Sequence, residues 1–169
     1  MRRPILLCLL LAVMIPVMPA KGDHEDHDND KISARLTGFQ EVPAILSDGK
    51  ADFTATLDQA GTMLTYSLTF SGLSAPATAS HIHIGQRGVS GGVMAFLCGG
   101  GGKPACPASG GTVTGTIVAA DIIGPATQGV HPGDFAGFLR VLRSRNAYAN
   151  IHTSNFPAGE IRGQIEFED

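Results

Sequence analysis

The sequence predicts an all-β protein, an antiparallel β-sandwich of about eight strands with one short helix. From Ile32 onward, short runs of alternating apolar and polar residues are separated by Gly, Pro, Ser and Asp. Alternation with a period of two is typical of strands that bury only one face. The sequence lacks the regular succession of strands and helices that a parallel sheet requires.

The strands are expected in a regular order along the chain. The first covers 32–36, and apolar residues then alternate over 51–57 and 64–70. The turn-forming residues at 58–61 lie between these two runs, so they predict a hairpin. Further strands are expected at 80–84, 93–98, 112–119, 148–153 and 160–167.

One helix is expected after the segment His131-Pro132-Gly133-Asp134. A proline and an aspartate near a first turn are common at helix N-termini. The apolar residues that follow recur at spacings of three and four, and they are Phe135, Phe138, Leu139 and Leu142.

Two segments precede the predicted domain. Arg2-Arg3 followed by the apolar run Ile5 to Ile15 is typical of a secretory signal peptide, since the run is too short to span a bilayer. We therefore assign 1–20 to a signal peptide. The segment 21–31 is rich in acidic residues and poor in apolar ones, which predicts a flexible linker. The sandwich domain is then expected at 32–169.

The charge of the mature chain restricts its partners. Loss of Arg2 and Arg3 leaves 10 basic residues against 15 acidic ones, a net charge of −5. Such a charge argues against nucleic acid as a partner. Because no later apolar run has transmembrane length, no membrane span is expected in the mature form, and the location is expected to be secreted or periplasmic.

The cysteines predict a disulfide. Cys8 lies within the signal peptide, so Cys98 and Cys106 remain as a pair in a protein bound for an oxidising compartment. A ring this short stabilises a fold by about 2–3 kcal/mol in the loop-entropy model, enough to fix one loop. A metal dithiolate is the less favoured alternative, because the spacing is long for a Cys-x-x-Cys site.

Histidines occupy alternate positions in the stretch His81-Ile82-His83-Ile84. Because side chains alternate across a strand, isoleucines in the core would place His81 and His83 on the outer face. The segment 148–153 repeats this pattern with Ile151 inward, so His152 is also expected to face outward. The three imidazoles are then able to converge.

Three converging imidazoles predict a copper or zinc site, because neutral imidazole is a good ligand for both metals. The alternative is that His81 and His83 lie on a solvent-facing strand and hydrogen-bond acids such as Glu160. In the last predicted strand, Glu160, Arg162 and Gln164 would also face outward. We expect Glu41 and Glu160 to form an ion pair or hydrogen bonds, with Arg162 as the nearby cation, or to accept hydrogen bonds from the histidines.

Several motifs follow one another in order along the chain. They are Leu36-Thr37-Gly38-Phe39-Gln40-Glu41-Val42-Pro43, Gly49, Leu64-Thr65-Tyr66, His81-Ile82-His83-Ile84-Gly85, Tyr148-Ala149-Asn150-Ile151-His152-Thr153 and Pro157-Ala158-Gly159-Glu160-Ile161-Arg162-Gly163-Gln164. In this order they resemble the chordin-type (CHRD) domain family, and the resemblance covers Ile32 to Phe167. It implies an extracellular β-sandwich module, found in animal chordins as part of growth-factor antagonists and in microbes as small exported proteins.

The chain also resembles, more loosely, Cu/Zn superoxide dismutase, which is a Greek-key sandwich. That resemblance implies a Greek-key topology in which His81, His83 and His152 hold copper and Arg162 attracts the anion. A second metal site is not expected, because few spare ligands remain. They are Asp121, His131 and Asp134.

The predicted function is therefore that of an exported CHRD-type binding module with a three-histidine copper or zinc site. Its expected partner is an extracellular or periplasmic protein, and no catalytic residue is assigned. The alternative is a copper-dependent enzyme of the superoxide dismutase type.

Overall fold

The computed structural model of this chain describes residues 30–168. The predicted signal peptide at 1–20 and all but the end of the predicted linker at 21–31 lie outside the described residues. Within them the chain forms nine strands and one α-helix, which confirms the all-β class. The strands are β1 (Lys31–Thr37), β2 (Lys50–Leu57), β3 (Met63–Ser71), β4 (Ala77–Ile84), β5 (Val93–Cys98), β6 (Gly111–Val118), β7 (Ala147–Thr153), β8 (Ile161–Gln164) and β9 (Glu166–Glu168), and the helix is α1 (Phe135–Arg143).

The strands form one antiparallel sheet in the order β5-β4-β7-β8-β1-β2-β3-β6, with β9 also paired to β1. The sheet curls into a nearly closed sandwich, so that its two edge strands, β5 and β6, approach each other. The Tyr66 hydroxyl donates across the interior to Leu97 O at 2.7 Å, and Ile123 N donates to Met94 O at 2.9 Å. These two bonds hold β5 at the closing seam.

The ninth strand arises because the predicted strand 160–167 is divided at Ile165. This residue is fully buried, and its N–H donates to Ala147 O beside β7 at 2.9 Å. Beyond it, β9 pairs with Lys31 to Ser33 of β1. The last segment therefore pairs with β1 on both sides of the break, and β8 pairs with β7 as well.

The core follows the predicted alternation. In β2 and β3 every second residue is buried, and the two strands pair in register from Lys50 opposite Ser71 to Leu57 opposite Leu64. The turn between them is closed by Asp58, whose side chain accepts from Thr62 N and Met63 N. The hairpin predicted at this position is therefore present.

Helix α1 covers one end of the sandwich. Asp134 caps it by accepting a hydrogen bond from Gly137 N at 2.7 Å, an arrangement that satisfies one of the free donors of the first turn. The apolar stripe predicted from the sequence is buried against the sheet: Phe135, Phe138, Leu139 and Leu142. In residues 30–168 no helix combines the length and the apolar character needed to cross a membrane.

The predicted disulfide joins Cys98, the last residue of β5, to Cys106. The loop between them is fixed further by Lys103, whose ammonium donates to Thr116 O of β6 at 2.6 Å and lies 2.8 Å from Asp121. The loop thus links β5 to β6 at the seam of the sheet.

Candidate metal centre

The outer face of β4, β7 and β8 carries a layer of polar side chains, which we call the polar face. Its members stand opposite one another in the antiparallel register. The inner-face neighbours Ile82, Ile151 and Ile161 are fully buried, as the alternation predicts. The polar face comprises His81, His83, Tyr148, Asn150, His152, Arg162 and Gln164.

The polar face is not open to solvent, although the sequence suggests that it faces outward. His81 is only 9% exposed and Arg162 only 2%. The reason is that loops fold over this face, in particular the segment 85–92 after β4. Glycine permits this close approach, because a β carbon on Gly91 would overlap Ile84 O.

The three predicted ligands come together on the polar face. One ring nitrogen from each of His81, His83 and His152 lies within 4.8 Å of the other two. The shortest separation, 3.1 Å, joins His81 Nδ1 to His152 Nε2. Adjacent antiparallel strands produce this convergence, because His81 pairs with Asn150 in a register that leaves His152 one diagonal step away.

Backbone carbonyls fix the tautomers of two of these rings. His83 Nδ1 lies 2.9 Å from Gly91 O, and His152 Nδ1 lies 2.9 Å from Pro157 O. Because a carbonyl can only accept, both rings donate Nδ1–H, and in the neutral form each carries its lone pair on Nε2. Carbonyl contacts of this kind orient metal-binding histidines in proteins.

The third ring is held by its neighbours. His81 Nδ1–H donates to the lone pair of His152 Nε2 at 3.1 Å. The Phe96 ring packs edge-on against His81 with centroids 4.4 Å apart. A metal ion would replace the proton that His81 and His152 share.

Asn150 lies at the centre of the polar face and is 2% exposed. Its side-chain oxygen, Oδ1, lies 3.1 Å from His83 Nε2. Since that nitrogen carries a lone pair, a hydrogen bond between the two requires the amide to be turned so that its NH₂ group faces the ring. A metal ion bound by His83 would have to displace this contact.

All three histidines are held in their neutral form. Burial, together with the nearby His152 and His83, lowers the pKa of His81 to about 3. Burial is also the main cause of the lowered pKa values of His83 and His152. The cluster consequently offers uncharged imidazoles, the form that binds copper and zinc.

The donor set fits a first-row transition metal. Nitrogens of histidine bind zinc at about 2.0–2.1 Å, so two of them on one ion are at most about 4.2 Å apart. The spacings here reach up to 4.8 Å, so the rings would have to draw closer together to hold one ion. Three imidazoles leave further coordination positions for water, a carboxylate or a partner.

Arg162 lies on the polar face, two strands from His81. Its guanidinium lies over the Tyr148 ring at 3.4 Å, and Tyr148 in turn stacks on His83 at 4.7 Å. One Arg162 nitrogen donates to Gln86 O at 3.0 Å. A contiguous stack of guanidinium, phenol and imidazole thus joins the arginine to the histidine cluster.

Glu41 and Arg162 do not form an ion pair with each other within the described chain. The Glu41 side chain reaches towards Gly159, where a β carbon would overlap its Oε1. Burial raises the pKa of Glu41, and the contacts with Val42 N and Arg162 oppose this only in part. Glu41 therefore lies close to the polar face without a bound counter-charge.

Glu160 makes hydrogen bonds, one of the two roles that we expect for it from the sequence, and it forms no ion pair among the described residues. It is fully buried and accepts four hydrogen bonds, from the hydroxyls of Ser47, Ser74 and Thr153 and from Ser74 N, at 2.6–2.8 Å. Through these bonds it ties two loops to the end of β7, next to His152.

Sequence reasoning did not single out Tyr148 and Asn150, which contact the histidines directly. The signal was present, because residues 148, 150 and 152 share one face of a strand by period two. Gly91 O and Pro157 O had no such signal, since they reach the rings through loop conformation.

Comparison with known proteins identifies the family. A family model described as the CHRD domain matches residues 32–165, which include β1 to β8 and all three histidines. Searches of curated proteins and of solved structures give no match.

Proposed function

The chain belongs to the CHRD domain family, and from that premise we propose that it is an exported binding module whose three-histidine site holds one copper or zinc ion. One observation carries the proposal: His81, His83 and His152 converge with their nitrogens within 4.8 Å. CHRD domains occur in secreted proteins, which supports a location outside the cytoplasm.

The surroundings of the site support metal binding over a purely structural role. Gly91 O and Pro157 O each bind Nδ1 of one ring, His83 or His152, and so direct Nε2 of that ring into the cluster. The present partners of these two Nε2 atoms are Asn150 and His81, two side chains of the polar face that a metal ion could displace. Burial keeps the imidazoles neutral, the form that binds copper and zinc.

The test is metal content. The mature protein is stripped with a chelator, dialysed against copper or zinc and analysed for bound metal. One equivalent is expected, with loss in His81→Ala and His152→Ala. The background carries His24→Ala and His27→Ala, because these histidines lie in the acidic segment and would bind metal weakly on their own.

The matched control is His131→Ala, which removes an exposed histidine remote in sequence from the cluster. It should retain the full equivalent of metal. If the parent protein takes up no metal after dialysis, or if His152→Ala binds as well as the parent, the proposed site is rejected.

A copper-dependent dismutase is the second candidate, and the stack of Arg162 on Tyr148 and His83 favours it. Copper bound at the site would supply one-electron redox chemistry, and a nearby guanidinium would attract an anion such as superoxide. The copper-loaded protein is assayed for superoxide removal alongside Arg162→Lys and Arg87→Gln. If the activity is no greater than that of free copper at the same concentration, the dismutase candidate is rejected and only the binding module remains.

The proposal also covers the N-terminal region, with 1–20 as a signal peptide and 21–31 as a linker before the domain. Expression of the full chain in a secreting host, followed by N-terminal sequencing of the exported product, tests this assignment. A mature chain that begins near Lys21 is expected, and an uncleaved product would contradict the signal peptide.

A further inference from the structure

A cavity of about 190 Å³ opens beside the polar face, under the loop that follows β1. It is separate from the histidine cluster, since none of the three imidazoles lines it. Its walls combine apolar and ionisable side chains, chiefly Phe39, Glu41, Val42, Arg87, Arg162 and Gln164.

Three polar atoms in this wall are buried without a hydrogen-bond partner among the described residues. They are Glu41 Oε1, Arg162 Nη1 and Gln164 Oε1, and they are the ones found in the part of the chain that the structure describes. Burying such groups unpaired costs free energy, so proteins normally satisfy them. All three belong to side chains that line the same cavity.

Each of these side chains is fixed by its other end. Gln164 Nε2 donates to Gly85 O and Arg145 O, both at 2.9 Å. Arg162 Nη2 donates to Gln86 O at 3.0 Å. Since one half of each side chain is anchored, the unpaired half is held in place behind the cavity surface. The unpaired atoms have almost no solvent-accessible surface, so a ligand reaches them through a small movement of the cavity wall.

The unpaired groups have a definite chemical complement. Arg162 offers a cationic donor, whereas Glu41 and Gln164 offer acceptors, one of them a carboxylate. A ligand that satisfies them carries a carboxylate for the arginine and N–H donors for the two acceptors. Arg87, whose side chain is 67% exposed, adds a second guanidinium near the opening.

The rest of the cavity is apolar. Phe39 is 70% exposed and Val42 38% exposed, although both are large apolar residues on the cavity wall. Exposed apolar residues beside unpaired polar groups are typical of a ligand site. A volume of about 190 Å³ equals roughly six water molecules, which suits a molecule the size of a small amino acid.

We propose that this cavity binds the carboxylate end of an amino acid, either free or as the last residue of a peptide. The carboxylate contacts Arg162 and Arg87, the N–H group contacts Glu41 and Gln164, and a small apolar side chain rests on Phe39 and Val42. The inference does not depend on the proposed metal site.

The experiment measures binding by NMR chemical-shift titration of the metal-free protein. The probes are L-valine, the tripeptide Ala-Ala-Val with a free C-terminus, acetate and methylamine. L-Valine or the tripeptide should bind at least about tenfold more tightly than acetate or methylamine, because each of the latter satisfies only one side of the cavity. Comparison of the affinities for valine and for the tripeptide shows whether the cavity prefers a free amino acid or a peptide terminus.

Variants localise the binding. Arg162→Lys and Glu41→Gln should each weaken it by about tenfold or more, because a charge-assisted hydrogen bond is lost. Arg87→Gln provides a variant with an exposed position, which is expected to fold even if Arg162→Lys does not. The matched control is Arg35→Gln, which removes an exposed arginine paired with Asp52 outside this cavity.

Several results would overturn the proposal. Binding of acetate as tight as that of valine would mean a simple anion site, and no response to any probe would mean a cavity that holds only water. Binding that survives Arg87→Gln, Arg162→Lys and Glu41→Gln unchanged would place the ligand elsewhere. His152→Ala should bind the probes normally, so failure of the metal site leaves this test unaffected.

Discussion

Glu160 shows how a buried carboxylate is stabilised without an ion pair. Its four hydrogen-bond donors are hydroxyls and one backbone N–H. Burial acts to raise its pKa, but the bonds from Ser47, Thr153 and Ser74 outweigh burial and hold the pKa below the ordinary value of 4.5. Glu160 is therefore ionised in the folded protein under neutral conditions.

A pH dependence follows from this lowered pKa. Because the folded pKa lies below the unfolded one, the stabilisation is present in full above about pH 4.5 and is lost as the pH falls through the folded value. We expect Glu160→Gln to lower the free energy of unfolding by about 2–3 kcal/mol at pH 7, since a charged buried hydrogen-bond acceptor is removed. Urea denaturation at pH 7 and at pH 3 measures the difference, which should shrink at the lower pH.

The control for this variant is Asp52→Asn, which changes an exposed carboxylate in a surface pair with Arg35. It should change stability by less than about 1 kcal/mol. A destabilisation by Glu160→Gln that is equal at both pH values would show that the loss does not arise from the charge.

Gly159 occupies a backbone conformation that disfavours other residues, with φ at 132°. Its missing side chain also leaves room for Glu41 Oε1. We expect Gly159→Ala to destabilise the fold by about 1–3 kcal/mol and to displace the Glu41 carboxyl. Thermal unfolding measures the first effect, and the valine titration described above measures the second.

The variant Gly129→Ala separates the cost of backbone conformation from the cost of the contact with Glu41. The φ of 85° at Gly129 is also left-handed, yet a β carbon there would meet no atom within 4 Å. Gly129→Ala should therefore show only the backbone cost of about 1 kcal/mol. Equal losses in the two variants would mean that the contact with Glu41 has no energetic effect.

At the scale of elements, the strands were largely predictable and the loops were not. Residues such as Phe53 and Leu68 alternate with polar neighbours and are fully buried, because a period of two allows only one face to enter the core. The break at Ile165 was missed because the apolar pattern of Ile161, Gly163 and Ile165 continues through it. The pairing divides the strand there, because β8 pairs with both β7 and β1, whereas β9 pairs with β1.

The same limit applies to the candidate site. Alternation of side chains along a strand is enough to predict that His81 and His83 face away from Ile82. Their burial does not, because it depends on where the loop 85–92 comes to rest, which is decided by glycines with close tertiary contacts. A sequence pattern reports which face a side chain takes, whereas coverage of that face is a property of the folded chain.

The loop closed by the disulfide between Cys98 and Cys106 contacts the histidine cluster through the Phe96 ring. Gly100 and Gly101 lie against the Phe96 ring, which packs on His81. We expect the double variant Cys98→Ser, Cys106→Ser to lower the free energy of unfolding by about 2–3 kcal/mol, as closure of a short ring implies. Urea denaturation measures the loss.

Addition of reductant supplies the control. The parent protein should lose a similar amount of stability when reduced, and the double variant should show no change. A mass increase of about two hydrogens on reduction under denaturing conditions reports the disulfide itself. Stability that is insensitive to reductant in the parent would contradict the structural role of this ring.

For the whole molecule, the proposed metal site lies apart from the apolar core that stabilises the fold. The buried apolar core lies on the inner face of the sheet, whereas His81, His83 and His152 lie on the outer one. The metal-free chain should accordingly fold, and ligand binding should add to its stability by mass action.

We expect copper or zinc at a hundred times its dissociation constant to stabilise the fold by about 2.7 kcal/mol. For a domain of this size, that corresponds to an increase of about 5–11 °C in the midpoint of thermal unfolding. Differential scanning calorimetry of the parent, His152→Ala and His131→Ala measures it. The increase should vanish only in His152→Ala, and an equal increase in all three would indicate metal bound elsewhere.

The hydrogen bonds at the closing seam of the sheet limit pairing between the edge strands of different molecules. Edge strands carry free carbonyls that another molecule could use to extend the sheet. Here Met94 O and Leu97 O of β5 already accept from Ile123 and Tyr66, and Thr116 O of β6 accepts from Lys103. A strand from a second chain would have to displace these bonds first, so the boundary of the sheet offers little template for fibrous self-association.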